Sequence, residues 1–213
     1  AVNGPWICNK GRDLARIFER SRADQPMLKG RPVPVAEALD AARRLIGAAR
    51  HPVAVVSNWG SNEELEAFKR YLGEVFHTHV KRDWQPEEGE RIEDDLLIRP
   101  DKNPNTAKAR ELFGEHEPAY HDGTDLVLVW GEGYDFARIP AQAKIIFLNS
   151  YLAPENGHAD VFLAVSIQTE RAGHYTNFQG VVSAFEPCFE PPAQALDAAR
   201  LFAALAGQAE AAA

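Results

Sequence analysis

Cysteine is scarce. Cys8 and Cys188 are the two thiols of the 213-residue chain and lie at opposite ends of it, which excludes a disulfide framework and a closed zinc site. Long apolar runs are missing as well. A membrane-crossing helix needs about twenty predominantly apolar residues, whereas the most apolar stretches, Leu126 to Trp130 and Ile145 to Leu148, have the length of strands. Membrane contact is therefore expected only indirectly, through partner proteins. The opening Ala1-Val-Asn-Gly-Pro-Trp6 has neither a basic segment nor an apolar core, so it is no secretory signal and a cytoplasmic location is expected. Methionine occurs once, at Met27, and the start at Ala1 reads as the interior of a longer chain. Positive charge is in deficit, with 23 Lys and Arg against 31 Asp and Glu and a formal net charge of -8. Such a chain repels phosphate backbones, and Arg43-Arg44 and Lys81-Arg82 are isolated pairs, so nucleic acid is excluded as a partner. No Gly-x-Ser-x-Gly elbow surrounds Ser57, Ser61 or Ser150, which leaves serine-nucleophile chemistry without support.

What remains is the composition of a globular domain, 45% hydrophobic and 25% charged, long enough to bury a sizeable core. Asp13 to Arg20 predicts a short amphipathic helix, and the prolines and Gly30 between Gln25 and Pro34 predict irregular chain. Over Val35 to Arg50, residues Val35, Ala38, Leu39, Ala42, Leu45 and Ile46 fall on one helical face. Pro52 to Ser57 reads as a short buried strand. Asn58-Trp-Gly60 turns the chain, and Ser61-Asn-Glu-Glu64 is a capping box opening a helix to about Gly73. A following strand is expected over Val75 to Val80. From Lys81 to Thr124 the sequence turns polar and proline-bearing, a long loop broken by a short helix near Thr106 to Phe113. Buried strands are expected at Asp125 to Gly133, Ala143 to Asn149 and Ala159 to Val165, and a closing helix within Pro192 to Ala206. Strands with continuous apolar patterning joined through helices imply an α/β, Rossmann-like, mostly parallel sheet with helices on both faces. The domain division expected is an N-terminal segment, 1–34, and an α/β domain, 35–213, with its polar loop at about 81–124.

Few residues carry a chemical signal. Trp130-Gly-Glu-Gly133 ends a strand with glycines, as a nucleotide or pterin phosphate needs, but it lacks the third glycine of the dinucleotide fingerprint and is expected to be a tight turn. His77 and His79 share one face of a strand, with His116 and His121 in the loop beyond. A pair of imidazoles without a fixed third ligand is more often solvated or hydrogen-bonded than metal-bound. The acidic run Glu87, Glu88, Glu90, Glu93, Asp94 and Asp95 reads as a solvated loop. Cys188 reads as a buried or incidental thiol. No residue is nominated as a catalytic acid, base or nucleophile.

Gly4-Pro-Trp-Ile-Cys-Asn-Lys-Gly-Arg12 resembles the segment of the molybdopterin oxidoreductase family that carries the fourth cysteine of a [4Fe-4S] cluster. The stretch from Ala159 to Gly180, with Ala159-Asp-Val, Glu170 and Thr176-Asn177, resembles that family's later conserved block. The resemblance implies that Cys8 is a cluster ligand and Lys10 lies near the cluster, with three further cysteines upstream of Ala1. The departures Ala164, Gln179 and Val181, and the lack of any cysteine between Cys8 and Cys188, imply a degenerate domain without molybdopterin. Within the family the pattern is most similar to the molybdopterin-like member found in NADH-quinone oxidoreductase, respiratory complex I. That implies a scaffold beside iron-sulfur clusters relaying electrons from NADH toward quinone. Its partners would be the other subunits of an NADH-linked complex, at the inner face of the plasma membrane. Two alternatives stand beside it: an active, formate dehydrogenase-like molybdenum enzyme, and a cluster-free structural interaction module.

Overall fold

The computed structural model describes residues 13–81, 93–94, 99–114 and 120–208. Five mutually parallel strands make up most of a seven-stranded sheet and reach one of its edges: β3 (Pro52–Val56), β4 (His77–Val80), β5 (Leu126–Trp130), β6 (Lys144–Asn149) and β7 (Val161–Ala164). A hairpin of β1 (Met27–Leu28) and β2 (Arg31–Pro32) adds antiparallel to β7, giving the order β2-β1-β7-β6-β5-β3-β4. The side-chain period of two divides each central strand between two cores. Leu126, Leu128 and Trp130 of β5 enter one cluster with Ile146, Leu148, Val161 and Leu163, while Val127 and Val129 enter the other with Phe147, Phe162 and Ala164. Burial on both faces is why these strands are apolar without interruption.

The first core takes the longer helices, α1 (Val35–Ala48), α2 (Asn62–Leu72), α3 (Thr106–Phe113) and, after the short α4 (Pro154–His158), α5 (Ala198–Leu205). Its centre is aromatic: Phe202 of α5 lies 5.0 Å from both Phe68 and Trp130 in edge-on contacts. Each such ring contributes roughly 1.5–3 kcal/mol by burial. The second core is closed by the 3-10 turn Phe136–Arg138, through Phe136, and by Ala159 at the end of α4. This is a Rossmann-like α/β fold with a mostly parallel sheet, as the apolar runs and capping box predict. Ser61 Oγ accepts from Glu64 N and the Glu64 carboxylate accepts from Ser61 N, so the box is formed.

Three expectations need amendment. The helix expected from Asp13 is a 3-10 helix, Asp13–Glu19. Gln25 to Pro34 is not wholly irregular: Lys29 and Gly30, at φ of 48° and 75°, make the two-residue turn of the β1–β2 hairpin, and pairing of Met27 with Phe162 recruits the segment to the sheet edge. A second hairpin straddles the end of the stretch read as a family block, with β8 (Gly173–Thr176) inside it and β9 (Val182–Phe185) just beyond Gly180.

Candidate functional site at the carboxyl edge of the sheet

In an open α/β sheet the ligand crevice lies at the carboxyl ends of the strands, where the strand order reverses. Here that point falls between β3 and β5. The chain leaving β3 runs Ser57-Asn58-Trp59-Gly60-Ser61 into α2, and the chain leaving β5 is Gly131-Glu132-Gly133. Between them rises Lys81, at the end of β4 and 2% exposed. Its N–H donates to Val56 O at 2.9 Å, its carbonyl accepts from Asn58 Nδ2 at 3.1 Å, and its Nζ donates to Glu132 O at 2.5 Å. Gly131 is fixed by two constraints. Its φ is 83°, and a Cβ there would meet Ser57 Oγ at 3.0 Å and Lys81 Nζ at 3.1 Å. The Trp-Gly-Glu-Gly segment is thus a tight turn packed on the protein's own lysine.

The N-terminus of the helix after the first central strand is where such folds place an anion. In this chain it holds an internal one. Glu64 is 2% exposed, and one of its oxygens accepts from Ser61 N at 2.8 Å while the other accepts from Ala198 N at 3.3 Å, so one carboxylate serves the first turns of both α2 and α5. Arg171 Nη2 closes on it at 3.0 Å, with an exposure of 8% against 2%. Burial pushes the Glu64 carboxyl up from the ordinary glutamate range, with Arg171 and the two backbone donors pulling the other way.

The β8–β9 hairpin covers this corner. Thr176 N donates to Asn105 Oδ1 at 2.8 Å, Asn62 Nδ2 donates to Thr176 Oγ1 at 3.0 Å, Tyr175 OH donates to Trp59 O at 3.1 Å, and His174 Nδ1 lies 2.6 Å from Glu63. Gly173 must be small, because a Cβ would meet Ser61 Cβ at 2.9 Å and the Phe185 ring at 3.0 Å. Burial pushes the Tyr175 phenol up to about 12. Further along the same edge Arg22 forks onto Glu170 at 3.0 and 2.6 Å and reaches Val165 O at 3.4 Å. Arg20 forks onto Glu132 at 2.6 and 2.5 Å while lying 3.8 Å over the Tyr151 ring. Each of these arginines thereby meets a carboxylate. Among the described residues Arg22 Nη1, Ser166 Oγ, Thr169 Oγ1 and Arg171 Nε are buried without a hydrogen-bond partner.

Of the residues singled out in the sequence, Cys8, Lys10, His116, Glu87, Glu88, Glu90 and Asp95 lie outside the described residues. His77 and His79 do share a face, with rings 4.6 Å apart, whereas His121 is elsewhere, 4.8 Å from His51. Among the described residues no three His, Cys, Asp or Glu side chains gather as a metal group, and no helix is long and apolar enough to cross a membrane. Cys188 is exposed rather than buried, on a loop whose N–H donates to Thr169 O at 2.7 Å. Sequence reasoning missed Lys81 and the Glu64–Arg171 pair. The capping box marked Glu64, but nothing local marked its distant arginine.

No family model matches the chain, and no curated protein matches it. Among solved structures it is similar to a chain of the formyltransferase/hydrolase complex (FhcABCD) from Methylorubrum extorquens, determined in complex with methylofuran. The TM-score is 0.58 at 12% identity, covering 86% of this chain and 98% of that one. These findings correct the resemblance drawn from the sequence. The molybdopterin oxidoreductase family, its complex I member, the NADH-linked complex and its iron-sulfur relay all give way, because no family model supports them and the structural neighbour belongs to a different kind of complex. The residues behind the Ala159 to Gly180 resemblance have structural duties. Asp160 accepts from Ile145 N at 3.0 Å, Glu170 from Ile167 N at 3.0 Å, and Asn177 Oδ1 from Gln179 N and Val181 N, both at 2.9 Å, in a turn closed by Gly180 at φ 78°.

Proposed function

We propose that the chain is a subunit of a multi-subunit assembly that transfers or hydrolyses formyl groups, and that it works there through contacts with partner proteins. The observation that carries this reading is the extent of the structural likeness, which reaches 98% of one chain of the formyltransferase/hydrolase complex. The filled carboxyl edge supports a role in assembly, since Glu64, Arg171, Lys81 and the β8–β9 hairpin take the space a nucleotide uses in other folds of this type. Exposed apolar residues flank that edge. Phe18 is 53% and Phe189 57% exposed, with their rings 5.4 Å apart, and Leu152, also 53% exposed, donates its N–H to Ser21 O. Uncovered aromatic pairs of this kind are suited to interfaces.

The test is to isolate the tagged chain from its source under native conditions, identify what is stoichiometrically bound, and assay the assembly for formyl transfer and formyl hydrolysis. Phe18→Ser with Phe189→Ser is expected to release the partners while leaving the chain folded. A chain that purifies alone, or with partners inert toward formyl substrates, overturns the reading.

A further inference from the structure

At the opposite, amino-terminal end of the sheet an open cavity of about 420 Å³ has Leu28, Leu45 and Val161 on its floor and Lys29, Arg31 and Arg44 on its rim. Its volume is that of a small-ligand pocket, roughly 300–1,000 Å³. The floor is apolar and the rim cationic, an unusual concentration of positive charge on a chain of net charge -8. One rim carboxylate is already engaged. Asp160 accepts from Ile145 N at 3.0 Å and pairs with Lys144 Nζ at 3.3 Å. Lys29, Arg31 and Arg44 are exposed and have no ion-pair partner among the described residues.

The backbone holds one of these cations at a cost. Lys29 has φ 48°, the one non-glycine among the described residues at positive φ, and with Gly30 it forms the two-residue turn of the β1–β2 hairpin. Asn or Gly is the residue preferred at that place, because a lysine side chain is strained in the left-handed region. The turn is pinned where it stands, Lys29 N donating to Asp160 O at 3.2 Å. Strain kept against an easy local remedy, at the rim of a cavity, is a mark of a functional position.

We propose that this cavity binds a small organic anion, a phosphate or carboxylate on a short apolar body, with the anionic group between Lys29, Arg31 and Arg44 and the apolar part on Leu28, Leu45 and Val161. This inference stands independently of the assembly role. The probe is n-hexyl phosphate, titrated into the full chain with methyl NMR of Leu28, Leu45 and Val161, beside n-hexanol as the uncharged analogue. Saturable shifts at those three residues are expected, at least about tenfold tighter for the phosphate and weakened by salt. Lys29→Asn gives the turn its preferred Asn-Gly pair, so it is expected to raise the Tm while weakening binding roughly threefold, the size of a rim charge pair. Arg44→Ala is expected to weaken binding by a similar factor with the Tm unchanged. A hexanol affinity equal to that of the phosphate, shifts located elsewhere, or no saturation in the millimolar range overturns the proposal. So does Lys29→Asn binding as tightly as the parent chain.

Discussion

The two ends of the parallel sheet use charge in opposite ways. At the carboxyl edge three arginines each meet a carboxylate, Arg171 with Glu64, Arg22 with Glu170 and Arg20 with Glu132. The first pair is buried and the last is open to solvent. At the amino edge Lys29, Arg31 and Arg44 stand exposed around an apolar floor. Desolvation separates the two cases. A buried charge left unpaired costs several kcal/mol or is driven to its neutral form, whereas an exposed one stays unpaired at little cost and remains open to a ligand. The edge at which related folds take ligands is therefore the one this chain holds together internally, and the edge usually left to stability carries the unspent charge.

The largest test of that contrast is Arg171→Met. It leaves Glu64 buried without its cation and is expected to cost about 3–5 kcal/mol in urea unfolding, and adding Glu64→Leu is expected to recover much of the loss. If the single variant is neutral, the carboxyl edge is not held by this pair. Next comes Gly131→Ala. It places a side chain at φ 83° against Ser57 and Lys81 and is expected to cost roughly 2–3 kcal/mol by the same measurement. At the amino edge, Arg44→Ala is expected to change stability by less than about 0.5 kcal/mol. A large loss there would mean that the rim cations are structural after all.

A subtler test uses pH, because a carboxyl at each end is shifted in the opposite direction. Glu64 is raised by burial. Its contribution is fully present below the unfolded glutamate value of about 4.3 and is lost as pH rises through the folded value. The unfolding midpoint of the parent chain is therefore expected to fall relative to Glu64→Gln as the solution is taken upward from pH 4. Asp125, at the start of β5, is lowered by the backbone N–H groups of Arg50 at 2.8 Å and His51 at 3.0 Å. Its contribution is present above the unfolded aspartate value of about 3.9 and disappears as pH falls through the folded one. Asp125→Asn is expected to flatten the acid limb slightly, the smallest effect of the set because the group is exposed. A parent chain that gains on Glu64→Gln with rising pH contradicts the first assignment, and an unchanged acid limb in Asp125→Asn contradicts the second.

Much of the fold was legible beforehand for local reasons. Continuous apolar runs at Leu126–Trp130 and Lys144–Asn149 declare strands buried on both faces, and Ser61 with Glu64 declares a helix start that the structure bears out. The two hairpins were not legible. Met27–Leu28 is too short to show a period and is a strand only because β7 offers it an edge, and the β8–β9 hairpin has no apolar alternation because none of its strand residues is fully buried. The family resemblance misled for a related reason. Asp160, Glu170 and Asn177 recur wherever a carboxylate or amide must tie down a turn, so their spacing reported turn chemistry rather than a cofactor.

The sequence by itself determined the alternation of strands and helices, the capping box at Ser61 and the acid excess, because each follows from periodicity, propensity or counting within one stretch of chain. Tertiary structure alone decided that Glu64 faces Arg171, that Lys81 is buried under Gly131, and that Lys29, Arg31 and Arg44 gather around one apolar floor. These are meetings of residues far apart along the chain. They arise from strand order and crossovers, and no local pattern encodes which distant charge a given side chain will find.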